Sequence, residues 1–293
     1  MVNLQENTAL RAGVYMVFAM ASFVGNDTLI KIVGQSLPVG EIIMLRGGLA
    51  MLIIAAICLR MGILGGIVEL RSGSVTIRAT LDLIATVLFV TALMHMEIAN
   101  LTSIMQAVPL AVALLSMVVL KEQIGLRRGA AIVLGFAGVL MIVKPSPASF
   151  NIFDLLALLI VFAVAVRDLV TKSIPSRVPT QIVALANALF VTAGGAALCL
   201  WSGFIRPEPW QFGLLALAAV FLSSGYLFMV ATLRLGDLTG TAPFRYSIMV
   251  FAILSGVLVF NEIPDATAML GMALIVATGL YAAHREAKRG AAI

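Results

Sequence analysis

The feature that most constrains this chain is a series of ten apolar stretches with little sequence between them. A helix of roughly 20 residues, rising 1.5 Å per residue, crosses the ~30 Å hydrocarbon core of a bilayer. Charged residues make up 11% of the chain, against about 25% in a soluble domain, so the stretches are predicted to be membrane spans. The predicted spans are 10–33, 38–59, 76–95, 100–120, 127–143, 152–174, 179–201, 210–233, 239–260 and 265–283.

The Lys and Arg residues between these spans fall mostly on one side of the membrane. If the N-terminus is cytoplasmic, thirteen lie on the cytoplasmic side and three on the other, namely Lys31, Lys144 and Arg206. Positive residues favour the cytoplasmic side, so we predict an all-α integral membrane protein with ten transmembrane helices and both termini cytoplasmic. The expected location is a bacterial cytoplasmic membrane. The net charge of +5 is accounted for by this sidedness, and no nucleic-acid partner is expected. Lys31, close to a span end, is expected to reach the lipid headgroups.

The two halves of the chain repeat each other at a shift of 141 residues over the first two spans and of 140 residues from Leu93 onward. The aligned pairs share a charge or a proline that starts a helix: Asp27 with Asp168, Lys31 with Lys172, and Pro38 with Pro179. We therefore predict two five-helix repeats, residues 1–145 and 146–293. Because five is an odd number, the second repeat enters the membrane from the opposite side, which makes the repeats inverted.

Inverted repeats are typical of transporters that alternate access, with substrate bound between the halves near the midplane. A duplication kept for packing, as in a channel, is the alternative. The sequence has no H-E-x-x-H, no G-x-S-x-G and no Walker glycine loop. Its two histidines, His95 and His284, are too few for a metal centre. We expect no enzyme activity, no cofactor and no metal, and transport driven by a substrate or ion gradient.

The chain carries two copies of a helical signature. The first is A-L-M-H-M-E-I-A-N-L-T-S-I-M-Q-A-V-P-L-A-V-A-L-L-S-M-V-V-L-K-E at 92–122, followed by G-A-A-I-V-L-G-F-A-G-V-L-M-I-V. The second is L-G-D-L-T-G-T-A-P-F-R-Y-S-I-M-V-F-A-I-L-S-G-V-L-V-F-N-E at 235–262. Both resemble EamA domains of the drug/metabolite transporter superfamily, and Pro109, Glu122 and Glu262 match that pattern. In the second copy Met249 stands at the proline position, and Pro243 lies six residues earlier.

This resemblance covers nearly the whole chain and implies ten helices around a central cavity between the halves. Within the superfamily the pattern looks most like YddG-type exporters of aromatic amino acids. It implies a secondary transporter that exports amino acids, especially aromatic and other apolar ones. An exporter of drugs or other small metabolites, and a channel, are the alternatives. The expected partners are a small-molecule substrate and the lipid bilayer, with a functional monomer.

Charged residues within the spans form a pattern of their own. Asp27 lies roughly 9 Å and Arg46 roughly 12 Å below the same membrane boundary, which predicts that they pair. The repeat aligns Arg46 with Asn187, and Asn26 with Arg167. Each half therefore keeps one Asp, one Arg and one Asn at equivalent positions, and Asp168 is predicted to pair with Arg167 or a neighbour. These groups serve either as static helix contacts or in handling substrate or protons.

Further polar and aromatic residues are candidates for lining the cavity. Three residues in the first span recur at helical spacing on one face, and Arg245 in the ninth span can hold a substrate carboxylate or extend toward the interface. The aromatic candidates rest on the family resemblance. The full set is Tyr15, Ser22, Asn26, Phe89, Tyr226, Phe228, Phe244, Arg245 and Tyr246.

Overall fold

Helices form the spans that hydropathy predicts. The computed structural model describes residues 2–63, 69, 72–119, 121, 126–144, 151–175, 177–235 and 238–290. The helices are α1 (Val2–Val33), α2 (Val39–Arg60), α3 (Gly73–His95), α4 (Ile98–Met105), α5 (Val108–Val119), α6 (Leu126–Val143), α7 (Ile152–Thr171), α8 (Thr180–Ser202), α9 (Pro209–Leu235), α10 (Leu238–Arg245), α11 (Ser247–Ser255) and α12 (Ala266–Gly290). Glu122 and the predicted repeat boundary at 145 and 146 lie outside the described residues.

Seven helical segments in the described ranges are long and apolar enough to cross a membrane, and Gly129–Val143 and Ala266–Ala282 are shorter apolar helices. The sixth predicted span corresponds to α7, which carries Arg167 and Asp168 in its last turns. The architecture is therefore an all-helical membrane fold that accommodates ten spans, as predicted.

The fourth and ninth spans are each broken into two helices, and the breaks are equivalent. Span four breaks at Gln106 and Ala107, and span nine breaks at Tyr246, which lies 140 residues after Gln106. A proline has no N–H and clashes with the carbonyl four residues earlier. Pro109 follows the first break by two residues, so it removes a helical hydrogen bond at that break. Pro243 lies inside α10, three residues before the second break, so the two matching breaks differ in where their proline stands.

The helices pair across the two halves in an exchanged pattern. Helix α1 of the first half packs on α9 of the second, while α7 of the second half packs on α3 of the first. The remaining large contacts join equivalent helices, α2 with α8 and α6 with α12. This exchange is the packing expected of inverted repeats. We name the two membrane faces by the ends of the first span, the Arg11 face and the Val33 face.

Glycines permit close contact where equivalent helices meet. A Cβ placed on Gly195 of α8 would lie 2.6 Å from the backbone nitrogen of Met44 in α2. A Cβ on Gly271 of α12 would lie 2.5 Å from the carbonyl oxygen of Gly138 in α6. Small residues that let backbones approach are the usual means of helix association in membranes, so these two contacts hold the halves together.

Candidate substrate cavity

A cavity of about 900 Å³ lies between the two halves. Its wall includes Asn26 and Phe89 at one end and Met61 and Thr180 at the other. Asn26 is seven residues, about 10 Å, short of the Val33 end of α1, whereas Met61 and Thr180 lie at helix termini on the Arg11 face. The cavity therefore reaches the Arg11 face and stops short of the Val33 face. Its volume is in the range of small-molecule sites.

An ion pair between the halves helps to close the Val33 face. Lys31 Nζ pairs with Glu262 Oε1 and donates to the Met96 carbonyl oxygen at 2.6 Å, while Glu262 Oε2 accepts from the Ile98 backbone N–H at 3.0 Å. The Lys31 side chain is 9% exposed and lies over the Phe260 ring, 4.9 Å from its centroid. The expectation that Lys31 reaches the headgroups is therefore wrong.

The route of the chain after α11 explains this contact. Residues Gly256–Phe260 form a π-helical turn, and Asn261 adopts a left-handed conformation with φ of 54°. The Glu262 N–H then donates to the Gly256 carbonyl oxygen at 2.9 Å. This tight reversal turns the Glu262 carboxylate back toward α1, where Lys31 meets it.

Two more polar contacts join the halves on the Val33 face. Glu41, which is fully buried, accepts from the Ile205 N–H at 3.0 Å, and Gln211 Nε2 donates to Ser36 Oγ at 2.9 Å. Nearby Glu97 lies between spans, and burial, followed by the Glu262 carboxylate, raises its pKa above the ordinary value. The closed face is therefore held by groups from both repeats.

The closed end of the cavity holds the first set of aligned charges, Asn26, Asp27 and Arg46, which we name the closed-end triad. Asn26 Nδ2 donates to Asp27 Oδ1 at 2.9 Å, and Arg46 NH1 donates to Asn26 Oδ1 at 3.3 Å. Asn26 and Arg46 are 3% and 6% exposed. Asp27 and Arg46, both among the described residues, form no direct ion pair, because the Asn26 amide lies between them as acceptor and donor. The predicted direct pair is replaced by this bridge.

The second set, Arg167, Asp168 and Asn187, lies nearer the Arg11 face, and we name it the mouth triad. Arg167 Nε and NH2 donate to Asp168 Oδ1 at 3.0 and 2.8 Å, the contact that the sequence predicted. Arg167 NH1 also donates to Asp82 Oδ1 at 2.5 Å, so one guanidinium joins two carboxylates. Asn187 lines the cavity, and its Oδ1 has no hydrogen-bond partner among the described residues.

Two of the charged residues in the cavity wall were missed by sequence reasoning. Asp82 is 8% exposed on α3, and Ser223, an uncharged residue, stands 141 residues after it, so the repeat did not mark this position with a second charge. Its charge within an apolar span was itself the available signal. Arg78 was counted as a cytoplasmic end residue, but it lines the cavity and its Nε donates to Thr171 Oγ1 at 2.8 Å.

Of the nine residues predicted to line the cavity, Asn26, Phe89 and Tyr226 do so. Tyr226 packs edge-on against Phe23, which is also in the wall, with ring centroids 5.6 Å apart. Apolar and aromatic surface therefore lies beside the charged groups.

The other six candidates lie outside the lining of this cavity. Tyr15 packs on Phe228, with centroids 5.9 Å apart, and Ser22 Oγ donates to the Phe18 carbonyl oxygen at 2.8 Å. These three residues lie outside because α1 and α9 pack together, which places their side chains at the helix contact or along the helix backbone.

The candidates from span nine, Phe244, Arg245 and Tyr246, lie outside the cavity lining for a related reason. A Cβ on Gly13 of α1 would lie 2.8 Å from the Phe244 ring, and one on Gly279 of α12 would lie 1.7 Å from the Tyr246 hydroxyl. Phe244 and Tyr246 therefore pack against neighbouring helices. Arg245 is exposed and does not line the cavity, so its predicted role as the carboxylate ligand there is not supported.

Two equivalent helical halves around a cavity that reaches one membrane face are the architecture of secondary transporters. The chain belongs to the EamA-like transporter family, whose model matches residues 10–144 and 151–281. Family membership and the apolar helices confirm the predicted multi-pass membrane location, and the relatives described next come from bacteria, in line with a cytoplasmic membrane.

Two relatives are themselves transporters. An S-adenosylmethionine uptake transporter of Rickettsia prowazekii is 27% identical over 182 residues, covering 62% of each chain. The pseudopaline exporter CntI of Pseudomonas aeruginosa is 27% identical over 277 residues, covering 91% of this chain and 94% of the exporter. The match to the Rickettsia protein thus spans less than two thirds of its length. Both are consistent with the expectation that the chain is not an enzyme.

A crystal structure of another protein has the same fold. It is 19% identical, superposes with a TM-score of 0.63, and covers 94% of this chain and 98% of that chain. At this identity the likeness establishes the fold alone. The substrates in the relatives' names differ from aromatic amino acids, so the finer resemblance predicted from sequence enters below as a proposal.

Proposed function

We propose that this chain is a secondary transporter that exports amino acids, chiefly aromatic and other apolar ones, by alternating access. Substrate would enter the cavity from the Arg11 face, which the charge bias predicts to be cytoplasmic, and leave at the Val33 face. The observation that carries this proposal is the cavity between the halves, which Phe89 and Tyr226 line together with Asp27 and Arg46. Such a wall suits an amphipathic solute with an apolar body and a charged head.

Alternating access requires the Val33 face to open. The Lys31–Glu262 pair and the Glu41 and Gln211 contacts join the two repeats across that face. They would separate when the halves rearrange, while the Arg11 end of the cavity closes. The two inverted repeats supply two related arrangements for this exchange, and the full chain is expected to act as a monomer in the bilayer.

Counterflow in proteoliposomes tests this function. Vesicles loaded with unlabelled L-phenylalanine should take up labelled L-phenylalanine transiently above equilibrium, and initial uptake should saturate. A channel would show flux proportional to concentration and no counterflow. The absence of counterflow with each of the twenty amino acids would reject the amino-acid proposal.

S-adenosylmethionine is a second candidate substrate, because the Rickettsia relative is named for its uptake and a cavity of about 900 Å³ has room for a molecule of that size. It shares an α-amino carboxylate with amino acids. Its counterflow in the same vesicles, without counterflow of phenylalanine, would favour this candidate.

A further inference from the structure

The Arg46 guanidinium has an unused donor at the closed end of the cavity. Arg46 is 6% exposed and lines the cavity, NH1 donates to Asn26 Oδ1 at 3.3 Å, and Nε has no hydrogen-bond partner among the described residues. A buried donor on a cation that lacks an acceptor is costly. Arginine binds carboxylates with particular strength, so a ligand carboxylate would supply the missing acceptor.

The Asp27 carboxylate lies beside this donor and is available to a cation. It lines the cavity and accepts from Asn26 Nδ2 at 2.9 Å, while within the described structure no ion pair joins it to Arg46. The Asn26 amide thus contacts both groups and keeps them apart. A positive group and a negative group separated by one amide match the two charges of a zwitterion.

The cavity lining also includes unpartnered polar atoms from the second half. Asn187 Oδ1 and Ser223 Oγ are buried, line the cavity, and have no partner in the described part of the chain. Asn187 stands at the repeat position of Arg46. Both atoms can accept a hydrogen bond, but Asn187 belongs to the mouth triad, nearer the Arg11 face, so the head-group site itself is built from the closed-end triad.

The other arginines are less suited to this role. Arg167 uses Nε, NH1 and NH2 on Asp82 and Asp168. Arg245 lies outside the cavity wall. Arg78 has NH1 unpartnered, but it is less buried than Arg46 and stands nearer the Arg11 face.

We infer that Arg46 and Asp27, kept apart by Asn26, recognise the α-amino carboxylate head group of the substrate. The carboxylate accepts from Arg46 Nε, and the ammonium group donates to Asp27. The apolar body then lies toward Phe89 and Tyr226. This inference rests on the proposed function and specifies the chemistry that the site selects.

Competition in the counterflow assay tests this head-group inference with three ligands of similar size: L-phenylalanine, L-phenylalaninamide and 3-phenylpropionate. L-Phenylalaninamide lacks the carboxylate, and 3-phenylpropionate lacks the ammonium group. Wild-type protein should prefer L-phenylalanine to either analogue by about tenfold or more, since each charged hydrogen bond lost costs that much. Arg46→Gln should lose the preference over the amide, and Asp27→Asn the preference over 3-phenylpropionate. Arg245→Gln is the matched control outside the cavity and should keep both preferences.

The outcomes separate the two claims. No counterflow in wild-type protein would reject the proposed function itself. Suppose that wild-type protein shows counterflow. The head-group inference would then be overturned if Arg46→Gln kept the full preference for L-phenylalanine over its amide, or if only Arg78→Gln lost it. If Arg46→Gln fails to fold, Arg46→Lys retains the charge without the planar fork. The inference then requires a weakened preference in that variant, and an unchanged preference would overturn it.

Discussion

The closed-end triad and the mouth triad occupy equivalent positions in the two repeats, yet their contacts differ. In the mouth triad the Arg adjoins the Asp on the same helix, and its guanidinium also reaches Asp82 on α3. In the closed-end triad the Arg lies on the next helix, and among the described residues its hydrogen bond is to the Asn amide. Exchanging Arg and Asn around a constant Asp therefore changes how many carboxylates the arginine contacts.

This difference suggests that the two triads have different roles. The mouth triad fits a static helix contact, and the closed-end triad fits substrate recognition. Arg167 has carboxylate acceptors at three of its nitrogens and joins α7 to α3, which is a bracing role. Arg46 lines the cavity, and its Nε has no hydrogen-bond partner among the described residues, which suits ligand recognition. Residues at equivalent positions of an inverted repeat thus need not have the same role. The following predictions test whether recognition and bracing are separate.

The largest expected effect is on transport by Arg46→Gln. Because the free Nε is proposed to bind the substrate carboxylate, we expect a loss of about 10- to 100-fold in transport efficiency for L-phenylalanine. Saturation kinetics in proteoliposomes measure it. An efficiency within twofold of wild type would contradict the ligand-binding role.

A double exchange, Asn26→Arg with Arg46→Asn, gives the closed-end triad the residue order of the mouth triad, with Arg next to Asp on one helix and Asn on the next helix. The new arginine adjoins Asp27 as Arg167 adjoins Asp168, so it should be held by that carboxylate. We expect the acid-over-amide preference to fall by about tenfold, with a melting temperature at or above that of Arg46→Asn alone. Competition and thermal unfolding measure the two results, and a retained preference would argue against the assignment.

Arg167→Gln should affect stability and leave ligand preference intact. It leaves Asp82 and Asp168 without their cation, which we expect to cost about 1 to 3 kcal/mol and to lower the melting temperature in detergent. Adding Asp82→Asn removes one uncompensated charge and should recover part of the loss. A changed preference for phenylalanine over its amide would show that the mouth triad also binds substrate.

Glu262→Gln should loosen the Val33 face. Loss of the ion pair to Lys31 is expected to raise the population open on that side by about fivefold. An impermeant maleimide applied from that side to Phe89→Cys, with Cys58 and Cys199 replaced, measures the change. Asp265→Asn is the control, since its pair with Lys144 is exposed. Equal labelling in the two variants would mean that the Lys31–Glu262 pair does not close this face.

Tyr15→Phe should have the smallest effect. Tyr15 packs on Phe228 outside the cavity lining, and the substitution keeps the ring. Transport efficiency should stay within about twofold of wild type, as is usual away from sites. A larger loss in the counterflow assay would place Tyr15 on the substrate pathway in another conformation.

The sequence predicted the spans and the exchanged Arg and Asn, because hydropathy and a fixed repeat offset are local patterns. Counting residues along a helix also gave the depths of Asp27 and Arg46. Such counting does not give the direction of each side chain around the helix axis. The Asn26 bridge and the outward position of Arg245 were therefore missed. The Lys31 partner, Glu262, is 231 residues away and is brought close by a π-turn that no local pattern indicated.

The most direct test of the separate roles is thermal stabilisation of the purified protein by saturating L-phenylalanine. A ligand that binds the folded state raises its melting temperature. Arg46→Gln should keep a ligand-free melting temperature near that of wild type and lose the ligand-induced rise, whereas Arg167→Gln should melt lower and keep the rise. A full rise in Arg46→Gln, or its loss in Arg167→Gln, would contradict the assignment of recognition to the closed-end triad and bracing to the mouth triad.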